Sequence, residues 1–278
     1  MIYADNAATT RISENVLQTM VEIMRQEYGN PSSLYRLGAR AKKIMETARV
    51  EIAQAIGAQP SEIYFTSGGT ESDNWAIKGS VFHSEKRGKN HIISTCIEHH
   101  AILRSLESLR LQGFEITLLD TDENGIVQAE QLTRSIREET GLVSVMYANN
   151  EIGTVQPVRE IGEICRSRDI TFHTDAVQAV GQLPIDVREL SVDLLSVSGH
   201  KIHGPKGIGF LYVREGTDIK PLLDGGFQER HRRAGTENVA AIAGLAIAVR
   251  DAVEGMKYRT EHLLRLRERF FDGGARTI

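Results

Sequence analysis

A lysine closing Ser196-Val197-Ser198-Gly199-His200-Lys201, an aspartate opening Asp175-Ala176-Val177-Gln178 and a histidine inside Glu98-His99-His100 each follow a short apolar run. Asn149-Asn150-Glu151 sits the same way after the run 142–147, and Ser67-Gly68-Gly69-Thr70-Glu71 follows 62–66 and opens a helical pattern. Ligands of open α/β sheets collect outside the carboxyl ends of the strands, so groups left at those ends are placed to meet. The glycine turn suits a phosphate, because it combines exposed amides, the positive end of a helix dipole and a hydroxyl. A pyridine-aldehyde cofactor needs an amine to condense with the aldehyde, a carboxylate to keep the ring nitrogen protonated, a planar group over the ring, and phosphate donors. On this reading Lys201 is the amine, Asp175 pairs with the ring nitrogen and His99 stacks on the ring. Asn150 and Gln178 hydrogen-bond the phenolic oxygen, and Gly69, Thr70, Ser198 and His200 bind the phosphate. Taken singly, each of these is more simply a solvated loop residue or a helix cap. Their common position at strand ends is what makes the set chemical.

The elements that must position them alternate. Strand-like runs cover 62–66, 91–95, 114–119, 142–147, 170–174, 194–197 and 208–213, most of them bounded by Gly, Asn or Asp. Apolar residues at helical spacing cover 15–26, 37–56, 71–82, 101–112, 129–138, 158–168, 240–251 and 258–271. This order predicts a three-layer α/β/α architecture around a mainly parallel seven-stranded sheet. The expected organisation is an N-terminal segment over 1–14, a large cofactor domain over 15–257, and over 258–278, as a family resemblance rather than the pattern implies, the start of a smaller C-terminal domain that is largely absent.

With 41% hydrophobic and 25% charged residues the 278-residue chain has the composition of an ordinary globular protein. A net charge of -4 gives no electrostatic reason to expect nucleic acid or an anionic membrane as partner. The start MIYADNAATT has neither the basic beginning nor the apolar core of a signal peptide, and the expected compartment is the cytoplasm. Cys96 and Cys165 lack the pairing of a disulfide framework and the spacing of a zinc site, so no metal is expected. Both read as structural: Cys165 follows Ile161 and Ile164 at helical spacing, and Cys96 closes a strand.

The segments DNAATT (5–10), YGNPSS (28–33), FTSGGTESDN (65–74), EHH (98–100), NNEIGTVQP (149–157), HTDAVQAVG (173–181), SGHKIHGPKGIG (198–209) and RRAGTEN (232–238) resemble the class V aminotransferase superfamily, and within it the NifS/IscS group of cysteine desulfurases. The resemblance spans nearly the whole chain. It implies pyridoxal 5'-phosphate (PLP) held in a fold-type-I large domain by Lys201, Asp175, His99, Thr70, Ser198 and His200, with Asn150 and Gln178 around the ring oxygen. It further implies a homodimer in which Thr236 reaches the phosphate bound by the partner subunit. The implied reaction converts L-cysteine to L-alanine and passes the sulfur to an acceptor protein, for iron–sulfur cluster or thio-cofactor biosynthesis. Family members continue into a smaller domain with a nucleophilic cysteine on a mobile loop and an arginine for the substrate carboxylate, neither of which can be assigned here. The chain as given is therefore expected to bind PLP without forming the family's persulfide, Cys96 being the only substitute thiol. Two rival readings stand beside this one: a selenocysteine lyase or other β-eliminating PLP enzyme, and a non-catalytic module that binds PLP or an acceptor partner.

Overall fold

Seven runs rich in β-branched and aromatic residues become the strands of one sheet. The computed structural model describes residues 2–84 and 88–275, so Met1 and 276–278, the outer ends of the first and last expected segments, lie outside the described residues. The strands are β1 (Ile63–Thr66), β2 (His91–Thr95), β3 (Glu115–Leu119), β4 (Thr140–Ser144), β5 (Thr171–Asp175), β6 (Leu194–Ser198) and β7 (Gly209–Val213), in the order β1-β7-β6-β5-β4-β2-β3. β7 is antiparallel to both β6 and β1, and the remaining pairs are parallel. Only residues 199–208 join β6 to β7, too few for the helical crossover that a parallel neighbour requires, so the chain turns back. Because β1 opposes β7 and β7 opposes β6, β1 runs with β6, and the carboxyl ends of β1, β2, β4, β5 and β6 share one edge.

The expected mainly parallel seven-stranded sheet is observed. β4 begins two residues earlier than the apolar run 142–147 and stops at Ser144, although the Val145 and Tyr147 amides still donate to His173 O and Asp175 O of β5. Around the sheet lie α1 (Glu14–Gln26), α2 (Arg36–Ala55), α3 (Gly69–Ser84), α4 (His100–Arg110), α5 (Ala129–Ser135), α6 (Val158–Ser167), the single turn α7 (Gln228–His231), α8 (Val239–Glu254) and α9 (Met256–Ala275). Alternate strand residues feed opposite faces. Val143, Phe210 and Tyr212 join the core under α2, α6 and α8, while Leu142 packs with α3 and α4 and Leu211 with α3. Beyond Gly255 the chain leaves this body, and the side chains of α9 from Glu261 to Gly273 are exposed. Among the described residues no helix is long and apolar enough to cross a membrane.

An edge strand leaves backbone groups that need partners. At β1, Ile63 O accepts from Arg49 Nη1 and Arg230 Nη2, both at 2.6 Å, and the Phe65 amide donates to Glu229 Oε2 at 2.8 Å. Arg49 and Glu229 are themselves forked at 2.7 and 2.9 Å, with only 2% of either side chain exposed. To bring Glu229 there the chain runs left-handed through three consecutive non-glycine residues, Glu229, Arg230 and His231, at φ of 43, 57 and 65°. Each costs about 1–2 kcal/mol relative to ordinary backbone, so the turn persists only because these bonds over-determine it.

Glu229→Gln removes the buried counter-charge of Arg49, leaving it only the half-exposed Glu46 at 3.2 Å, and is expected to lower unfolding stability by about 3 kcal/mol. Urea unfolding of the two proteins measures this, and a loss within experimental error would show that the pair does not anchor the β1 edge.

Candidate active site

A cavity of about 630 Å³ opens at the shared carboxyl edge, lined by Gly69, Thr70, His99, Asn150, Asp175, Gln178, Ser198, His200 and Lys201. These are all the site residues proposed from sequence except Thr236, which is exposed and does not line the cavity.

Its anion-binding wall is the β1–α3 turn. Gly68 sits at φ 147°, a conformation side chains rarely adopt, and a Cβ on Gly69 would come within 2.8 Å of Val177 Cγ2. The first turn of a helix has amides without intrahelical partners, and here Gly69 and Thr70 place them on the cavity wall. Glu71 shapes the approach: its Oε2 accepts the Ser67 amide at 2.8 Å while Arg233 grips both oxygens at 2.7 and 3.0 Å. Ser198 and His200 complete this wall from the end of β6.

Lys201 ends a 3₁₀ turn, Gly199–Lys201, directly after β6. The N-terminal segment clamps that turn, with the Thr10 amide and hydroxyl donating to His200 O at 2.9 and 2.8 Å and the His203 amide donating to Thr10 Oγ1 at 2.8 Å. Lys201 Nζ donates to Ala7 O and, at 2.9 Å, to Ala8 O. Burial pushes its ammonium below the ordinary lysine value, opposed by the charges of Asp175 and Asp5. The DNAATT motif thus acquires a role that its composition did not announce.

Asp175 is the last residue of β5, buried, with Oδ1 accepting the Val177 amide at 2.9 Å. Burial raises its pKa, and the Val177 amide, His99 and Lys201 pull it back. His99 is the N-cap of α4, where its Nδ1 accepts the Ala101 amide at 3.1 Å. Nδ1 is therefore used as an acceptor, which leaves Nε2 as the nitrogen able to donate toward the cavity.

Two acidic groups at this floor were not singled out from sequence. Asp73, one helical turn beyond Gly69, lines the cavity with Oδ1 buried and lacking a hydrogen-bond partner. Glu98 is buried with Oε1 accepting from Thr95 Oγ1 at 2.7 Å and the Met146 amide at 2.9 Å, while Oε2 has no partner. Burial pushes Glu98 up to about 8, so it is a neutral acid near pH 7. Burial, and next the charge of Asp175, raise Asp73 well above the usual carboxylate range. His173 Nε2 lies 3.7 Å from Asp73 Oδ1, yet the two are not an ion pair: burial holds His173 down to about 3, and its nitrogens face Ser144 Oγ and Ser196 Oγ at 2.9 and 3.0 Å. The i to i+4 spacing from Gly69 to Asp73 and the first letter of EHH were the available signals.

Burial divides the cysteines. Cys165 is buried in α6 as expected, its thiol pushed up to about 12 by desolvation. Cys96 corrects the expectation: one residue past β2 the strand face has ended, and its side chain is exposed. Neither lines the cavity.

The donor set fits PLP. A buried carboxylate for the ring nitrogen, an amine of lowered basicity, a helix N-terminus with Ser198 and His200, and a wall that the Cβ of any residue replacing Gly69 would crowd all converge on one cavity.

Comparison with known proteins gives the same answer. The aminotransferase class-V family model matches residues 2–269. The chain is 53% identical over 272 residues to cysteine desulfurase IscS of Methanosarcina thermophila, covering 98% of this chain and 67% of that protein. The structure of a NifS-like protein superposes with TM-score 0.96 at 43% identity, covering 99% of this chain and 76% of that one. SspA, solved in complex with cysteine, superposes with TM-score 0.86 at 42% identity over 90% of this chain and 72% of its own.

Because Glu98 keeps its proton in the fold up to about pH 8 but loses it near 4.5 when unfolded, the folded state binds the extra proton between those values and stability falls as pH rises through them. Glu98→Gln keeps the acceptor for Thr95 and Met146 without titrating. Its melting temperature relative to wild type, in the absence of cofactor, is expected to climb from pH 4.5 to pH 8 and then level off. A difference independent of pH would mean that Glu98 is ionised in the fold.

Proposed function

Since the chain belongs to the aminotransferase class-V family and is about half identical to IscS cysteine desulfurases, we propose that it is a PLP-dependent cysteine desulfurase that takes sulfur from L-cysteine and releases L-alanine. The observation that carries this reading is the convergence of Lys201, Asp175 and the α3 N-terminus on one cavity. When bound, PLP supplies an electron sink for the pair left behind as the amino acid's α-proton departs.

The chain's own residues do the rest. Lys201 Nζ would hold the cofactor's aldehyde carbon and, when not so engaged, would take a proton; its depressed basicity favours the neutral amine that both roles need. Asp175 holds a proton on the ring nitrogen. His99 covers one ring face and offers Nε2 for moving a proton. Gly69, Thr70, Ser198 and His200 hold the phosphate, with Asn150 and Gln178 about the ring oxygen. Exposed Thr236 serves the phosphate of a second copy in a homodimer. Residues 15–257 form the cofactor domain, and exposed α9 begins a smaller one over 258–278. The sulfur goes to a thiol other than Cys165, which burial keeps protonated, or Cys96, which is outside the cavity. An acceptor protein then receives it, in the cytoplasm, where both cysteines stay free.

Borohydride reduction of the PLP-loaded protein followed by peptide mapping is expected to mark Lys201, and Lys201→Ala to lose the visible cofactor band while remaining folded, since an amine at a cavity wall contributes little packing. A mark on Lys206, the other lysine lining the cavity, would sink the assignment.

Incubation with PLP and L-cysteine without reductant, followed by mass spectrometry, is expected to show no persulfide on Cys96 or Cys165. Persulfide on Cys96 together with stoichiometric alanine would make Cys96 the acceptor.

A further inference from the structure

Three carboxyl groups, those of Asp73, Glu98 and Asp175, lie buried together at the cavity floor. We propose that Asp73 is a positioning residue for Asp175: as a neutral carboxylic acid it leaves Asp175 the single negative charge of the floor and turns that carboxylate toward the cofactor's ring nitrogen. The proposal rests on the reading of the cavity as a PLP site and adds a residue to it.

Geometry carries the argument. Asp73 is 1% exposed, lines the cavity, and has one carboxyl oxygen within 4.8 Å of one oxygen of Asp175 and of a ring nitrogen of His99. The groups that face it are Asp175 and His173 from β5, Ser196 from β6, Glu98 before α4 and His99 capping α4, with the Lys201 ammonium acting on Asp175. His173 brings no positive charge, because burial among Ser144, Ser196 and the strands holds it down to about 3. Like charges this close in a buried place cannot all ionise. Asp175 takes the charge, since it alone combines a backbone amide with the attraction of His99 and Lys201. Glu98 has two donors on one oxygen and no cation, and Asp73 has an oxygen with no partner at all. A protonated Asp73 has the Asp175 carboxylate beside it, and a hydrogen bond that closes their separation of up to 4.8 Å would fix the direction of that carboxylate while favouring its charged form.

The test compares wild type, Asp73→Asn, which keeps a neutral donor, and Asp73→Leu, which has none, with Asp73→Ala as the alternative if leucine does not fold. Each is titrated with PLP, and solvent-deuterium exchange at the α-carbon of L-cysteine is followed against pH. Asparagine is expected to stay within about threefold of wild type in affinity and exchange, whereas leucine or alanine loses about tenfold or more in both and displaces the pH profile, the cost of one hydrogen bond to a charged group. In the cofactor-free proteins the melting temperature of Asp73→Asn should rise relative to wild type from about pH 4 upward, because wild type must keep a proton there that the unfolded chain releases. A tenfold loss in asparagine would overturn the proposal by showing that Asp73 works as an anion; wild-type behaviour of both apolar variants would overturn it by showing no role. A wild-type protein that binds no PLP refutes the functional reading instead, and the cofactor-free series then decides whether Asp73 is the neutral acid.

Discussion

Burying a carboxylate costs several kcal/mol unless donors and an opposite charge replace the water it loses, and this site is arranged around meeting that cost at Asp175. The strand ends there, so the Val177 amide is free to turn back onto Oδ1, and the Lys201 and His99 side chains arrive from β6 and α4. The buried acidic and imidazole groups next to it are neutral, which keeps the negative charge of the floor at Asp175: Glu98 and Asp73 hold their protons, and His173 has lost its charge to burial. A protonated ring nitrogen placed over this floor meets one anion and no competing one.

The phosphate end depends on a different constraint, the open edge of β1. Arg49, Glu229 and Arg230 close that edge by bonding Ile63 O and the Phe65 amide, and the left-handed run 229–231 is the backbone cost of bringing them there. Immediately after that run Arg233 reaches Glu71, which fixes the Ser67 amide at the mouth of the α3 turn. The ion pair at the β1 edge and the anion-binding amides of the α3 turn are thus two ends of one short chain of contacts. The N-terminal segment does for Lys201 what Arg233 does for the phosphate turn, offering the carbonyls of Ala7 and Ala8 to the amine and clamping His200 from Thr10.

The strands, their mainly parallel order and the polar residues proposed for the cavity, Thr236 apart, were legible in the sequence because they rest on local signals: short apolar runs, the glycine turn, and polar residues placed just beyond strand ends. Those ends share an edge only through the sheet order, yet the β-then-α alternation already required most of it. What the tertiary structure alone decided has long-range causes. Arg49 and Glu229 lie 180 positions apart, and no glycine marks the left-handed turn that joins them. Cys96 is exposed because β2 ends one residue before it, a boundary that the pattern could not fix. The protonation of Asp73, Glu98 and His173 depends on which charges the folded chain brings face to face and how much water it removes, and a sequence specifies residue types and periods but not the dielectric in which they end up.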